Sequence, residues 1–110
     1  VLAVAGLMLA GVASATSQAT KTVTLSGITF NGKANATAKA KVGDKLKFVW
    51  VDGVHNVIST GMVPGGKKTN SGAPKQGHAP LTVSLTKKGT YSFECVPHAA
   101  LGMKIKVAVS

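Results

Sequence analysis

Arginine is absent from this 110-residue chain, acidic residues number three, and there is a single cysteine. Each scarcity excludes something. All thirteen basic residues are lysines, so the net charge of +10 comes without a planar guanidinium to make bidentate contacts to guanine or phosphate. Tyr91 and Phe93 alternate with Cys95 in a core-like pattern and do not read as an exposed stacking platform. Nucleic acid is therefore not an expected partner. Asp44, Asp52 and Glu94 are the only carboxylate side chains, and none sits near a candidate nucleophile, so the chain is not expected to be an enzyme. Cys95 has no second cysteine with which to form an internal disulfide. The sequence beyond residue 20 also lacks helical periodicity, and the chain has no internal repeats.

Long apolar runs are confined to the start. Val1–Ala13 contains no charged or polar residue, and Ser14-Ala15 and Ser17-Gln18-Ala19 then offer small-residue endings of the kind a signal peptidase accepts. Residues 1–19 are expected to be the remnant of a signal peptide or an N-terminal anchor. The expected location is exported: the periplasm or an extracytoplasmic membrane face, a thylakoid lumen included. Residues 20–110 then form one small domain of about ninety residues with a thin core, and a bound ligand could supply part of its stability.

Within that domain the apolar residues repeat with period two. Val23 and Leu25 share a face in Thr22–Leu25, and Ala34–Ala40 is a weak edge segment of small residues. Leu46, Phe48 and Trp50 share another face, as do Leu81, Val83 and Leu85. Asn56–Ser59 is brief and ambiguous in its facing. Tyr91, Phe93 and Cys95 align, and Met103, Ile105, Val107 and Val109 close the chain with Lys104 and Lys106 turned to water. Gly43-Asp44, Asp52-Gly53 and Lys88-Gly89 mark turns. Strands with one apolar face must pair two sheets to bury those faces. The expectation is an all-β, antiparallel Greek-key sandwich of about seven or eight strands. Residues 60–79, rich in glycine and proline, read as an irregular loop with room for a helical turn, carrying Lys67, Lys68 and Lys75.

Cys95, His98 and Met103 follow one another as C-x2-H-x4-M, and His55 lies forty residues upstream. A thiolate, two imidazoles and a thioether are the donors of a mononuclear blue-copper centre. Taken singly they mean less: a lone cysteine is usually a buried hydrophobe, and Met103 opens an apolar strand. Strand phasing turns Cys95 inward, Val96-Pro97 ends its strand, and the chain returns at Met103, which places three donors on one loop. His55 falls at a rim of the sandwich, with the choice of rim left open. Zinc would accept the cysteine and histidines, but a thioether is a poor zinc ligand. His78, between Gly77 and Pro80, is the spare histidine and is expected to be solvated.

Gly89-x-Tyr91-x-Phe93-x-Cys95-x-Pro97-His98-x-x-x-Gly102-Met103 resembles the C-terminal signature of plastocyanins, and Gly43-Asp44, Phe48-x-Trp50 and His55-Asn56-Val57 resemble the first-ligand region of the same cupredoxin family. The resemblance covers residues 22–109. It implies one type 1 copper, cycling between Cu(I) and Cu(II), held by His55, Cys95, His98 and Met103, and a soluble one-electron carrier working by outer-sphere transfer. It also implies that Asn56 ties the ligand segments together, with its backbone N–H aimed at the Cys95 sulfur. Pro97 stiffens the loop, and electrons leave through the exposed edge of His98, ringed by Ala99, Ala100, Leu101 and Val54. Typical plastocyanins carry tyrosine before the cysteine, flanked by acidic residues. Glu94 and a lysine-rich surface stand here instead, which fits a small bacterial or archaeal relative of the auracyanin or halocyanin kind at least as well.

The expected partner is thus an acidic redox protein, a cytochrome or a membrane oxidoreductase, met by a monomer. Lys67, Lys68 and Lys75 are the first candidates to frame the docking patch, and Lys104 comes second; an anionic membrane surface is a further peripheral contact. Two other functions use the same residues: a periplasmic copper carrier, which would need an exposed, exchangeable site, and a non-redox structural sandwich in which Cys95 is core.

Overall fold

The computed structural model describes residues 18–110. The expected signal remnant or anchor lies, up to residue 17, outside the described residues. Ala19 already belongs to the folded unit: its N–H donates to Asp44 Oδ1 at 3.0 Å, and its carbonyl accepts from the Lys45 N–H at 2.9 Å.

The period-two segments form strands. In chain order these are β1 (Thr20–Ser26), β2 (Thr29–Phe30), β3 (Ala36–Ala40), β4 (Lys45–Trp50), β5 (Val54–His55), β6 (Ile58–Thr60), β7 (Lys75–Gln76), β8 (Leu81–Ser84), β9 (Gly89–Glu94) and β10 (Lys104–Val109). One helix is described, a short 3-10 helix over Val96–Leu101. The first sheet runs β2-β1-β4-β8, the second β3-β10-β9-β6, and β5 pairs with β7 as a separate ribbon.

The sandwich has its two sheets, but the pairing is mixed. β1 and β4 run parallel, from Thr20 opposite Lys45 to Leu25 opposite Trp50, and β3 and β10 are parallel as well. The reason is topological: the chain crosses from one sheet to the other between β1 and β4, so the returning strand lies beside β1 in the same direction. Residues 60–79 form no helical turn. They contain β7 and an Asn70 bridge to Ile58, and hydrogen bonds from Thr69 N–H to Ser59 Oγ and Ser71 N–H to Val57 O hold them against β6.

Alternation decides what is buried. Val23, Leu25, Phe30, Leu46 and Phe48 enter the core from the first sheet, and Tyr91, Phe93, Ile105 and Val107 from the second. Phe48 joins the two layers, meeting Phe93 edge-on at 5.0 Å between centroids and Phe30 at 6.1 Å. Such pairs add about 0.5–1.5 kcal/mol beyond the area they bury. The Tyr91 hydroxyl accepts from Lys87 N–H and donates to Lys87 O, which pins the β8–β9 connection. Every buried side-chain nitrogen and oxygen among the described residues has a hydrogen-bond partner.

Candidate metal centre

The site is assembled where β4 ends and β10 begins. Trp50 closes β4, and its indole N–H donates to the His55 carbonyl at 2.9 Å, clamping the intervening turn. Gly53 makes that turn feasible. Its φ is +85°, and a Cβ there would stand 2.6 Å from His55 Nε2, so any side chain would strike the imidazole. The sequence marked Gly53 as a turn residue; its approach to His55 is a tertiary fact.

Cys95 follows directly on β9, and the 3-10 helix then carries His98 round to Gly102, which ends it at φ +92°. Cys95 N–H donates to Met103 O at 3.1 Å and Met103 N–H to His98 O at 3.2 Å, so the loop is closed by its own backbone. Asn35 N–H donates to Gly102 O at 2.8 Å, holding the loop from outside.

These elements bring His55, Cys95 and His98 to one point, with their donor atoms all within 4.8 Å of one another. Cys95 Sγ lies 3.6 Å from His55 Nδ1 and 3.5 Å from His98 Nδ1. Donors at bonds of ~2.0–2.3 Å around one first-row metal ion in a trigonal arrangement stand about that far apart. His55 Nε2 lies 2.7 Å from the carbonyl of Asp52, which can only accept, so Nε2 carries the proton and Nδ1 keeps its lone pair for the metal. His55, Cys95 and Met103 are fully buried, while His98 is partly exposed. Burial holds the His55 pKa down, the His98 charge pushes the same way, and the hydrogen bond to Asp52 opposes both. Neutral His55 is the form that ligates. Burial likewise pushes the Cys95 thiol up, opposed by the backbone N–H groups of Asn56 and His98. A bound cation reverses that balance in favour of thiolate.

Asn56 is buried beside the cluster, with Oδ1 accepting from Val96 N–H at 2.8 Å and Nδ2 donating to Gly72 O at 3.2 Å. Pro97 occupies the first turn of the 3-10 helix, where its missing N–H leaves no bond unmade. Leu101 is 60% exposed, Ala100 is exposed and Ala99 partly so. Val51, Val54 and Val96 are exposed at the same end. The sequence signal for Val51 and Val96 was their place next to the turn and the ligand loop.

The lysines divide. Lys75 stands opposite His55 in the β5–β7 ribbon, and Lys104 opposite Glu94, both at the metal end. Lys67 and Lys68 do not join them: with Thr82, Ser84, Thr86 and Tyr91 they line a cavity of about 350 Å³ on the flank of the sandwich. The glycine-rich segment between β6 and β7 runs along that flank before it turns back towards His55. His78 is not the solvated side chain its neighbours predicted. Its ring stacks on Trp50 at 4.4 Å and 23°, and it stays outside the donor cluster.

Comparison with known proteins agrees with this geometry. Residues 17–110 match the family model of copper binding proteins of the plastocyanin/azurin family. A pseudoazurin from Methylorubrum extorquens is 37% identical over 78 residues, 67% of this chain and 49% of the relative. A plastocyanin from Daucus carota is 62% identical over 30 residues, 27% of this chain and 31% of the relative. The matched part thus spans about half, or less, of each relative's length. Among solved structures, the pseudoazurin of Methylobacterium extorquens AM1 superposes with a TM-score of 0.68 at 31% identity, over 83% of this chain and 75% of that one. A variant of amicyanin superposes at 0.65 and 23% identity, over 83% and 82%, which speaks to the fold alone.

Proposed function

This chain belongs to the copper-binding plastocyanin/azurin family, and we propose that it is an exported, monomeric one-electron carrier. His55 Nδ1, Cys95 Sγ, His98 Nδ1 and the Met103 thioether would hold a single copper ion. When bound, copper supplies one redox equivalent by cycling between its +2 and +1 states. The observation that carries the reading is the convergence of two imidazole Nδ1 atoms on a buried cysteine sulfur at 3.5 and 3.6 Å.

The chain's own residues do the rest. The Asn56–Val96 bond and the loop-closing backbone bonds keep the donors in place through a change of charge, which keeps reorganisation small. Burial of His55, Cys95 and Met103 keeps water away from three of the four donors. It also disfavours a carrier that hands its copper on. The partly exposed His98 edge, among Pro97, Ala99, Ala100 and Leu101, is the exit for the electron. A small apolar patch permits close approach without lasting adhesion. Lys75 and Lys104 lie beside it and orient an acidic redox partner, whereas Lys67 and Lys68 act at a distance through the overall field.

The test is a visible spectrum after addition of Cu(II), followed by titration with a reductant. We expect an intense thiolate–copper band that bleaches with one electron per protein. A folded, colourless product would overturn the reading.

A further inference from the structure

The end of the sandwich opposite Cys95 collects five lysines. Lys21 lies near the start of β1, Lys45 opens β4, Lys41 sits in the β3–β4 turn, and Lys87 and Lys88 form the β8–β9 connection. The registers Thr20 to Lys45, Lys45 to Ser84 and Val109 to Gly89 place all of these together. Six-residue strands separate this pole from the metal end by about 17 Å at ~3.3 Å per residue. Asp44 is the acidic side chain here, and both its oxygens accept backbone N–H bonds, from Ala19 and Lys41. Asp52 and Glu94 lie at the far end beside the ligands. Asp44 offsets only part of the charge of the five lysines, and the pole stays net positive.

Two apolar side chains stand out among these lysines. Val42, next to Lys41, is 46% exposed, and Met62 is 95% exposed. Pro64 packs against Gly89 and Gly65 against Lys87, which brings the Met62 loop to this pole. Met62 serves neither the core nor the metal centre. Ala19 is at the same pole, beside Asp44 and Lys45.

We propose that this pole docks on an anionic membrane surface, the lysines meeting acidic headgroups while Met62 and Val42 enter the boundary with the acyl chains. The His98 end then points away from the membrane, free for a redox partner. Docking of this kind goes beyond electron carriage and does not depend on it.

The test is co-sedimentation of the full-length, copper-loaded chain with vesicles of phosphatidylcholine, with and without phosphatidylglycerol. Binding should require the anionic lipid. Lys41→Gln/Lys87→Gln/Lys88→Gln should weaken it about a hundredfold, at about fivefold per lysine. Lys39→Gln/Lys47→Gln/Lys106→Gln, with the same charge change on the strand faces, should weaken it far less. An environment-sensitive fluorophore on Met62→Cys should shift to the blue on binding, and one on Leu101→Cys should not. Equal binding to neutral vesicles, equal losses in the two triple variants, or a blue shift at position 101 alone would overturn the proposal. Failure to bind vesicles, with capture of an acidic peptide by the same pole, would overturn it in favour of a protein partner. The visible copper band reports separately on the metal centre.

Discussion

Asn56 Oδ1 accepts the Val96 N–H at 2.8 Å, joining the residue after His55 to the residue after Cys95 across forty positions of chain. Neither partner needs to touch the metal. The bond sets how far apart the two ligand-bearing segments stand, and the second arm of Asn56, to Gly72, braces it against the long loop.

Asn56→Ala leaves the Val96 N–H without its acceptor and opens a small void. The copper-free protein should lose about 1–3 kcal/mol, the usual effect of an unmatched buried polar group. Chemical denaturation measures this, and the visible band of the copper form should shift or broaden. An unchanged midpoint and band would show that the bond positions nothing.

Gly53→Ala places a Cβ against His55 Nε2 at a backbone φ of +85°. The imidazole must turn and give up its bond to the Asp52 carbonyl. Copper affinity should fall by about 10–100-fold, the range seen when a ligand's hydrogen-bond support is lost. Competition with a chelator reads it directly.

His78→Ala should retain the visible band, because His78 stacks on Trp50 and lies outside the donor cluster. His55→Ala should abolish it. The reverse pattern would exchange the two histidines' roles.

Asp44 titrates below its ordinary range, chiefly because the Lys41 and Ala19 backbone N–H groups bind its ionised form, with Lys21 adding to them. Its folded pKa is depressed, so the ionised carboxylate stabilises the fold above about pH 4, its unfolded value, and that contribution is lost as pH falls through the folded pKa. Asp44→Asn should therefore be less stable than the parent at neutral pH and should show a flatter acid limb. Melting temperature against pH tests both.

Adding copper to the metal-free protein should raise the melting temperature by on the order of 10 °C at a hundredfold excess over its dissociation constant. Met103→Leu should keep the colour and change the reduction potential, since a thioether would be the weakest of the four donors and would tune the potential more than it would bind. Voltammetry of the variant decides that point.

Period-two alternation is a local property of an extended chain, so the sequence by itself determined which faces of β4, β9 and β10 are buried. The inward direction of Cys95 and the single loop from Cys95 to Met103 follow from the same counting. The donor chemistry was legible for the same reason: thiol, imidazole and thioether are read off residue types. Other features depend on partners far away in the chain. Val54–His55 pairs with Lys75–Gln76, and His78 lies on Trp50, because residues 60–79 fold back along the sandwich edge; no local pattern encodes that path. The parallel pairings come from the way the chain crosses between sheets. Only the tertiary structure put His55 at the same rim as Cys95 and selected its Nδ1. It also sorted the thirteen lysines into the metal end, the flanks and the far pole. Residue type states what a side chain can do, and long-range packing, summed over many weak contacts, states beside what it will do it.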